Sequence, residues 1–282
     1  MSKNIIAYQG YPGAYSHLSC TKVFPEMAAH ACASFAKAMY MVEREEASLA
    51  MIPIENSTAG RVEEIYRLMP KTHLHIVGEH FEPVNHCLLV KPGTSIETLQ
   101  TIASHPQALA QCNNAIAALN LQQIAHLDTA GAAQELADSP SNTQAAIASE
   151  LAAKLYGLDI LQQNFQDISG NTTRFIILSK KSQCPKYSDD EAFITTIMFT
   201  VRNIPSALYK SMGGFATNGV NMLKLESYMA SNSMSVTSFH LDVAGHPEEE
   251  KMQLALQELE FFSSEMRVIG TYLAHKFRED RY

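Results

Sequence analysis

Two hydrophobic patterns that belong to different architectures share this chain, and a polar stretch divides them. Before residue 179, short apolar runs alternate with helix-like segments rich in Ala, Leu, Gln and Glu. Ile5-Ile6-Ala7-Tyr8, Leu49-Ala50-Met51-Ile52-Pro53-Ile54, Cys87-Leu88-Leu89-Val90, Gln144-Ala145-Ala146-Ile147-Ala148 and Phe175-Ile176-Ile177-Leu178 read as strands. Residues 107–119 and 130–137 read as helices between them. Such alternation predicts an α/β fold with mostly parallel strands, because each parallel step needs a crossover that a helix supplies. Residues 179–191 contain a proline and lack apolar periodicity, the composition of a linker. Beyond it, Ile197, Phe199 and Val201 alternate as in a half-buried strand. Leu208, Met212 and Phe215 follow helical spacing, and Asn218-Gly219 ends that helix. Residues 222–228 and 235–243 read as strands joined by Ala230-Ser231-Asn232-Ser233, before a helix carrying Met252, Leu256, Leu259 and Phe262 and a last strand over 267–273. The order is βαββαβ, a ferredoxin-like unit. The expected domains are 1–180, a linker over 181–191, and 192–282.

The chain's 282 residues suffice for two domains, and 46% hydrophobic content supports packed cores. A net charge of -8 argues against nucleic acid or an anionic membrane as partner, since both want a basic face. It leaves small anionic substrates open, because a single arginine in a cleft can serve them. Cys20, Cys32, Cys87, Cys112 and Cys184 are scattered, odd in number and without C-x-x-C, as expected of reduced thiols in a cytoplasmic protein. The first residues lack the apolar region and cleavage site of a signal peptide, and no apolar run approaches the ~20 residues that span a bilayer.

In open α/β sheets ligands bind beyond the carboxyl ends of strands, so polar clusters there are the candidates. Gly170-Asn171-Thr172-Thr173-Arg174-Phe175 stands out: two adjacent hydroxyls and a guanidinium are more than a turn requires. An arginine holds a carboxylate through a planar fork of donors, and a neighbouring threonine can donate to another group of the same ligand. Gln9-Gly10-Tyr11-Pro12-Gly13-Ala14-Tyr15-Ser16-His17 follows the first strand, where turning glycines, backbone N–H groups and Ser16 suit an anion. It is not G-x-G-x-x-G, and for the segment taken alone a Gly-Pro turn capped by Ser16 accounts for it better. Glu55-Asn56-Ser57-Thr58 follows the second strand with more hydrogen-bonding side chains than one N-cap needs. Ser104-His105-Pro106-Gln107, Asp128-Thr129 and Ser149-Glu150 precede helices, and capping explains each singly. Their convergence on one cleft with Arg174 would build a polar site for a small anion. His73-x-His75 is the only close histidine pair and lacks a third ligand, so no metal is expected. No P-loop or G-x-S-x-G elbow is present.

The chain resembles the bacterial prephenate dehydratases nearly end to end. The resemblance rests on Gly10-x-x-Gly13-Ala14-Tyr15-Ser16, Pro53-Ile54-Glu55-Asn56-Ser57, His105-Pro106-Gln107 and Asn171-x-Thr173-Arg174-Phe175 in this order. The C-terminal part resembles the ACT regulatory domain through Ala207-Leu208 and Asn221-Met222-x-Lys224-Leu225-Glu226-Ser227. It implies a catalytic region of two lobes, similar to periplasmic binding proteins, with the site between them. It implies a cofactor-free hydro-lyase that converts prephenate to phenylpyruvate in phenylalanine biosynthesis. Thr173 is then the catalytic hydroxyl, and Arg174, Phe175, Asn56, Ser57, Thr58, Gln107, Thr129 and Ser16 line the substrate pocket, with Arg174 on a carboxylate. Phenylalanine is the expected effector, at Ala207, Leu208, Asn218, Asn221, Met222, Glu226 and Ser227, and pairing of ACT units implies a homodimer or homotetramer. The chain departs from the family with Ser206 for a common glycine and Tyr228-Met229 for a common Arg-Pro, which bears on regulation. Arogenate dehydratase and a non-catalytic amino-acid sensor are the alternatives, and assay with both substrates separates them. On this reading a fragment ending near Lys186 keeps catalysis.

Overall fold

Two α/β lobes, each around its own sheet, precede the polar stretch. The computed structural model describes residues 4–229 and 237–281. The first lobe contains β1 (Ile5–Gln9), α1 (Tyr15–Val23), β2 (Ala28–Cys32), α2 (Phe35–Glu43), β3 (Leu49–Asn56), β4 (Gly60–Arg61), α3 (Glu63–Leu68) and β5 (His75–Pro83). Residues 84–86 cross to the second lobe, built from β6 (Cys87–Val90), β7 (Thr101–Ser104), α4 (Pro106–Gln111), α5 (Asn113–Ala118), β8 (Gln122–Ala125), α6 (Thr129–Asp138), β9 (Gln144–Ala148), α7 (Glu150–Tyr156) and β10 (Asp159–Gln162). The chain then returns as β11 (Thr172–Ser179) into the first sheet, whose order is β2-β1-β3-β11-β5 with β4 paired to β3. The second sheet runs β10-β6-β9-β7-β8.

The strands are less uniformly parallel than their alternation with helices predicts. β1 is parallel to β2 and β3, but β11 is antiparallel to both β3 and β5. β6 is likewise antiparallel to β9 and β10. The reason is the double crossing: β11 arrives from the other lobe, so it starts at the edge where β3 and β5 end. The helix expected over 107–119 is broken at Cys112 for a related reason. Asp167, on the returning segment, accepts from Asn114 N and Ala115 N and so caps α5 separately.

The C-terminal unit is the expected βαββαβ: β12 (Phe193–Val201), α8 (Ala207–Thr217), β13 (Met222–Met229), β14 (Thr237–Ala244), α9 (Glu250–Phe262) and β15 (Ser263–Leu273). Its sheet order is β13-β14-β12-β15. The turn expected at Ala230 to Ser233 and the first two residues of the strand expected from 235 lie outside the described residues. One sheet face packs α8 and α9 through Phe199, Leu241, Val243, Met252 and Leu259. The other face contributes Ile194, Met198, Tyr228, Ile269 and Tyr272 to the core of the first lobe, with Ile54, Ile76, Ile176 and Leu178. A Cβ on Gly270 would lie 2.1 Å from Ile76 O, so this contact needs glycine. Arg267 adds hydrogen bonds to Thr72 O (2.7 Å) and Met69 O (3.2 Å). The linker therefore joins units that share one core. Among the described residues no helix is long and apolar enough to cross a membrane.

Candidate active site

The antiparallel return of β11 sets Thr173 opposite Asn56 and Arg174 opposite Glu55. One irregularity decides which way these residues face. The register of β11 on β3 shifts between Arg174 and Phe175, leaving Ile54 as an extra residue in β3. Ile52 and Ile54 point into the core shared with the C-terminal unit. Strict alternation would send Asn56 there too and Glu55 to the other side. The bulge reverses this: Glu55 meets Arg174 on the shared face, and Asn56 turns to Thr173.

A chain of hydrogen bonds runs from this pair across the cleft. Asn56 Oδ1 accepts from Thr58 N and Ala59 N, at 3.0 and 2.9 Å, which fixes the orientation of its amide. Asn56 Nδ2 then donates to Thr173 Oγ1 (3.0 Å) and Asn171 Oδ1 (2.7 Å). Asn171 Nδ2 donates to Gln111 Oε1 at 3.0 Å. His86 Nε2 lies 2.9 Å from the same oxygen, so it carries the proton, and His86 Nδ1 lies 3.0 Å from Tyr15 Oη, whose single proton also faces Asn85 O at 2.8 Å. That neutral tautomer agrees with burial, which lowers the His86 pKa against the opposing pull of Gln111. Burial also raises the Tyr15 phenol well above its ordinary value. Two consequences are chemical. The Thr173 oxygen accepts from Asn56, leaving its own proton free for a ligand. Gln111 Nε2 is buried without a partner within the protein, an unmet donor beside the cleft.

The cavity beside this chain is lined by Tyr15, Asn56, His86, His105, Gln107, Gln111, Thr129, Asn171 and Thr173. Size does not single it out: it measures about 130 Å³, against about 670 Å³ for a hollow bounded by Phe24, Met27, Val42, Lys180 and Lys181. The convergence of polar groups from both lobes does. Of the expected residues, Thr173, Asn56, Gln107 and Thr129 meet here. Ser57 does not: its Oγ accepts from Thr172 N (2.9 Å), and it lines a separate cavity against the C-terminal unit. Thr58 is exposed and Ser16 is buried in α1, and neither lines the cleft.

Arg174 and Phe175 require correction. Arg174 is 2% exposed and faces away from the cleft. Its Nε donates to Glu79 (2.8 Å), Nη1 to Glu55 (3.0 Å) and Asp242 (2.6 Å), and Nη2 to Tyr272 (3.0 Å). With its donors so engaged it does not clamp a substrate carboxylate. Phe175, 1% exposed, packs among Ile6, Tyr8, Cys20, Met51 and Ile177. β11 begins earlier than its apolar residues suggest, so the whole Thr-Arg-Phe stretch alternates in a strand.

The expected effector residues are dispersed within one chain. Ala207 and Leu208 start α8, Asn218 caps its other end, and Asn221 and Met222 are exposed just beyond. Eleven helical residues separate the two groups by about 16 Å. Glu226 lies on the opposite sheet face, where it pairs with Arg61 (3.1 Å), and Ser227 O accepts from the same guanidinium (2.7 Å). Ser206 has φ 57° and accepts the cost of a left-handed conformation.

His86 and Gln111 were not expected as site residues, and Tyr15, His105 and Asn171 stood in the candidate clusters without being assigned to the pocket. Gln111 stands one helical turn after Gln107, a legible spacing. His86 offers no such signal, because only the crossing between lobes brings it to the cleft.

Residues 6–183 match the family model described as prephenate dehydratase. The chain is 46% identical to the bifunctional N-acyl-homoserine lactone acylase/prephenate dehydratase of Komagataeibacter europaeus, over 98% of each chain. It is 40% identical to the chloroplastic arogenate dehydratase/prephenate dehydratase 2 of Arabidopsis thaliana, over 95% of this chain and 72% of that one. The crystal structure of prephenate dehydratase from Arthrobacter aurescens in complex with L-Phe superposes with a TM-score of 0.87 at 27% identity, covering 96% of this chain and 90% of the other.

Proposed function

The chain belongs to the prephenate dehydratase family, and on that premise we propose that it converts prephenate to phenylpyruvate, water and carbon dioxide. The observation that carries this reading is the Asn56–Thr173 pair, in which the oxygen of a cleft-lining threonine accepts and its proton stays available. In the reaction the ring C–OH bond and the bond to the ring carboxylate both break. The electrons of the second bond complete the aromatic ring, so the driving force resides in the substrate. What the protein supplies is orientation and help for the departing hydroxide. Thr173 donates to that oxygen, and the proton that completes water comes ultimately from solvent. Such assistance contributes about 10²–10⁴-fold in rate. No arginine or lysine lines the cavity among the described residues. The substrate carboxylates therefore meet neutral donors: the free Gln111 Nε2, with Gln107 and Thr129 beside it.

Arogenate is the second reading, favoured by the Arabidopsis relative's double name. Purified protein is assayed with prephenate and with arogenate, following product by absorbance; N-acyl-homoserine lactone is included because the Komagataeibacter relative is named for both activities. Turnover of prephenate at least tenfold above arogenate supports the proposal. Turnover of neither reduces the protein to a binding module.

Phenylalanine is the proposed effector, at a pocket formed between C-terminal units of two copies. That arrangement lets Ala207-Leu208 of one copy approach Asn218, Asn221 and Met222 of another. Inhibition requires that the ligand prefer a less active state. Titration by calorimetry and by activity on one sample tests both halves: binding without inhibition leaves a site but no switch, and no binding at millimolar ligand refutes it.

A further inference from the structure

The two residues that make the Asn56–Thr173 pair each have a charged neighbour in sequence, and both neighbours are held by the C-terminal unit. Glu55 is ion-paired to Lys224 of β13. Arg174 is ion-paired at 2.6 Å to Asp242 of β14, which is fully buried. Lys224 and Asp242 are register partners on adjacent strands, so the grip comes from one spot on one sheet. Asp242 is itself fixed by Thr196 Oγ1 (2.7 Å) and His240 Nε2 (3.2 Å). Glu55 and Arg174 also bond to each other at 3.0 Å, closing the group into a Lys224–Glu55–Arg174–Asp242 chain. Neither Lys224 nor Asp242 lines the cleft.

We propose that Lys224 and Asp242 are positioning residues for the dehydration step, acting through Glu55 and Arg174 on Asn56 and Thr173. The inference rests on the assignment of Thr173 as the hydroxyl that assists the departing oxygen. Adjacent residues of a strand project to opposite faces, so holding Glu55 and Arg174 fixes the twist of β3 and β11 at the cleft. The bulge in β3 is where such control matters most, because there the strand lacks one ladder pairing. Catalytic groups must sit within about 0.5 Å of productive geometry, and a small rotation of either strand exceeds that.

The test is a double-mutant cycle on kcat in the full chain. Lys224 is less deeply buried than Asp242, so Lys224→Met is the variant expected to fold, and its thermal midpoint is measured beside kcat. It should lower kcat about tenfold while KM stays within about twofold, the size of coupling seen between residues in one network. Lys224→Arg, which keeps the charge at Glu55, should recover most of the loss. In a Thr173→Ala background Lys224→Met should cost almost nothing further; an equal fold loss in both backgrounds overturns the proposal. Asp242→Asn should follow the same pattern, but its burial makes it the less secure fold, and Lys224 decides. Should Thr173→Ala retain wild-type kcat, the assignment of Thr173 falls, and the cycle is run with Asn56→Ala. Unchanged kcat in Lys224→Met overturns the inference in either case.

Discussion

The two faces of the β3–β11 pair show opposite chemical strategies. The cleft face carries neutral donors and acceptors in one chain, with the Thr173 proton and Gln111 Nε2 unpaired within the protein. On the face toward the C-terminal unit, Arg174 and Glu55, with Glu79 of β5, meet Asp242, Lys224 and Arg278 of that unit in a network of charge pairs. There burial alone would raise the Asp242 pKa, but Arg174 and His240 hold it well below the usual carboxylate value. Unfinished hydrogen bonding serves recognition, while finished charge pairing serves position. One stretch, Thr173-Arg174, supplies both because a strand sends successive side chains to opposite sides.

Breaking the cleft face should have the largest effect. Thr173→Ala is expected to lower kcat by about 10²–10⁴ with little change in thermal midpoint, since the residue is half-buried and Asn56 keeps Asn171. Steady-state kinetics beside a melting curve reads both, and a kcat near wild type would sink the contrast. The charged face should break as stability. Arg174→Met leaves the buried Asp242 carboxylate without its guanidinium, although Glu79 keeps Arg278 and Glu55 keeps Lys224, and is expected to cost about 3–5 kcal/mol in chemical denaturation. If it instead raises KM with stability intact, Arg174 serves the substrate after all. For the same reason a fragment ending near Lys186 is expected to be insoluble or inactive, because it loses Asp242, Tyr272 and the C-terminal side of a shared core.

A smaller effect sharpens the recognition side. Gln111→Leu removes the free donor and should raise KM about tenfold, the size of one lost hydrogen bond to a charged group. The smallest concerns pH. Burial lowers the pKa of His86, His17 and His275, so the unfolded chain binds more protons than the folded one just below the ordinary histidine value. Stability contributed by these neutral rings is complete above about pH 6.5 and falls as pH drops through that region. His86→Gln should flatten that fall in urea midpoints measured between pH 7.5 and 5.5, chosen as about one unit either side.

Much was legible in the sequence because local rules decide it. The strand expected over residues 144–148 appears as Gln144–Ala148, and 130–137 lies within Thr129–Asp138. The βαββαβ order follows from periodicity, and Thr173, Asn56, Gln107 and Thr129 were marked by polar residues next to apolar strands or at helix starts. What no local rule contains is direction. That β11 runs antiparallel depends on the chain leaving for a second lobe and coming back. That Asn56 rather than Glu55 faces the cleft depends on one extra residue, Ile54, against its partner strand. That Arg174 binds Asp242 depends on two units sharing a core, although the composition of residues 179–191 suggests a tether. Periodicity sets which residues share a face. Only the tertiary contacts settle what that face meets, because an arginine is equally suited to a substrate carboxylate and to one from the protein itself.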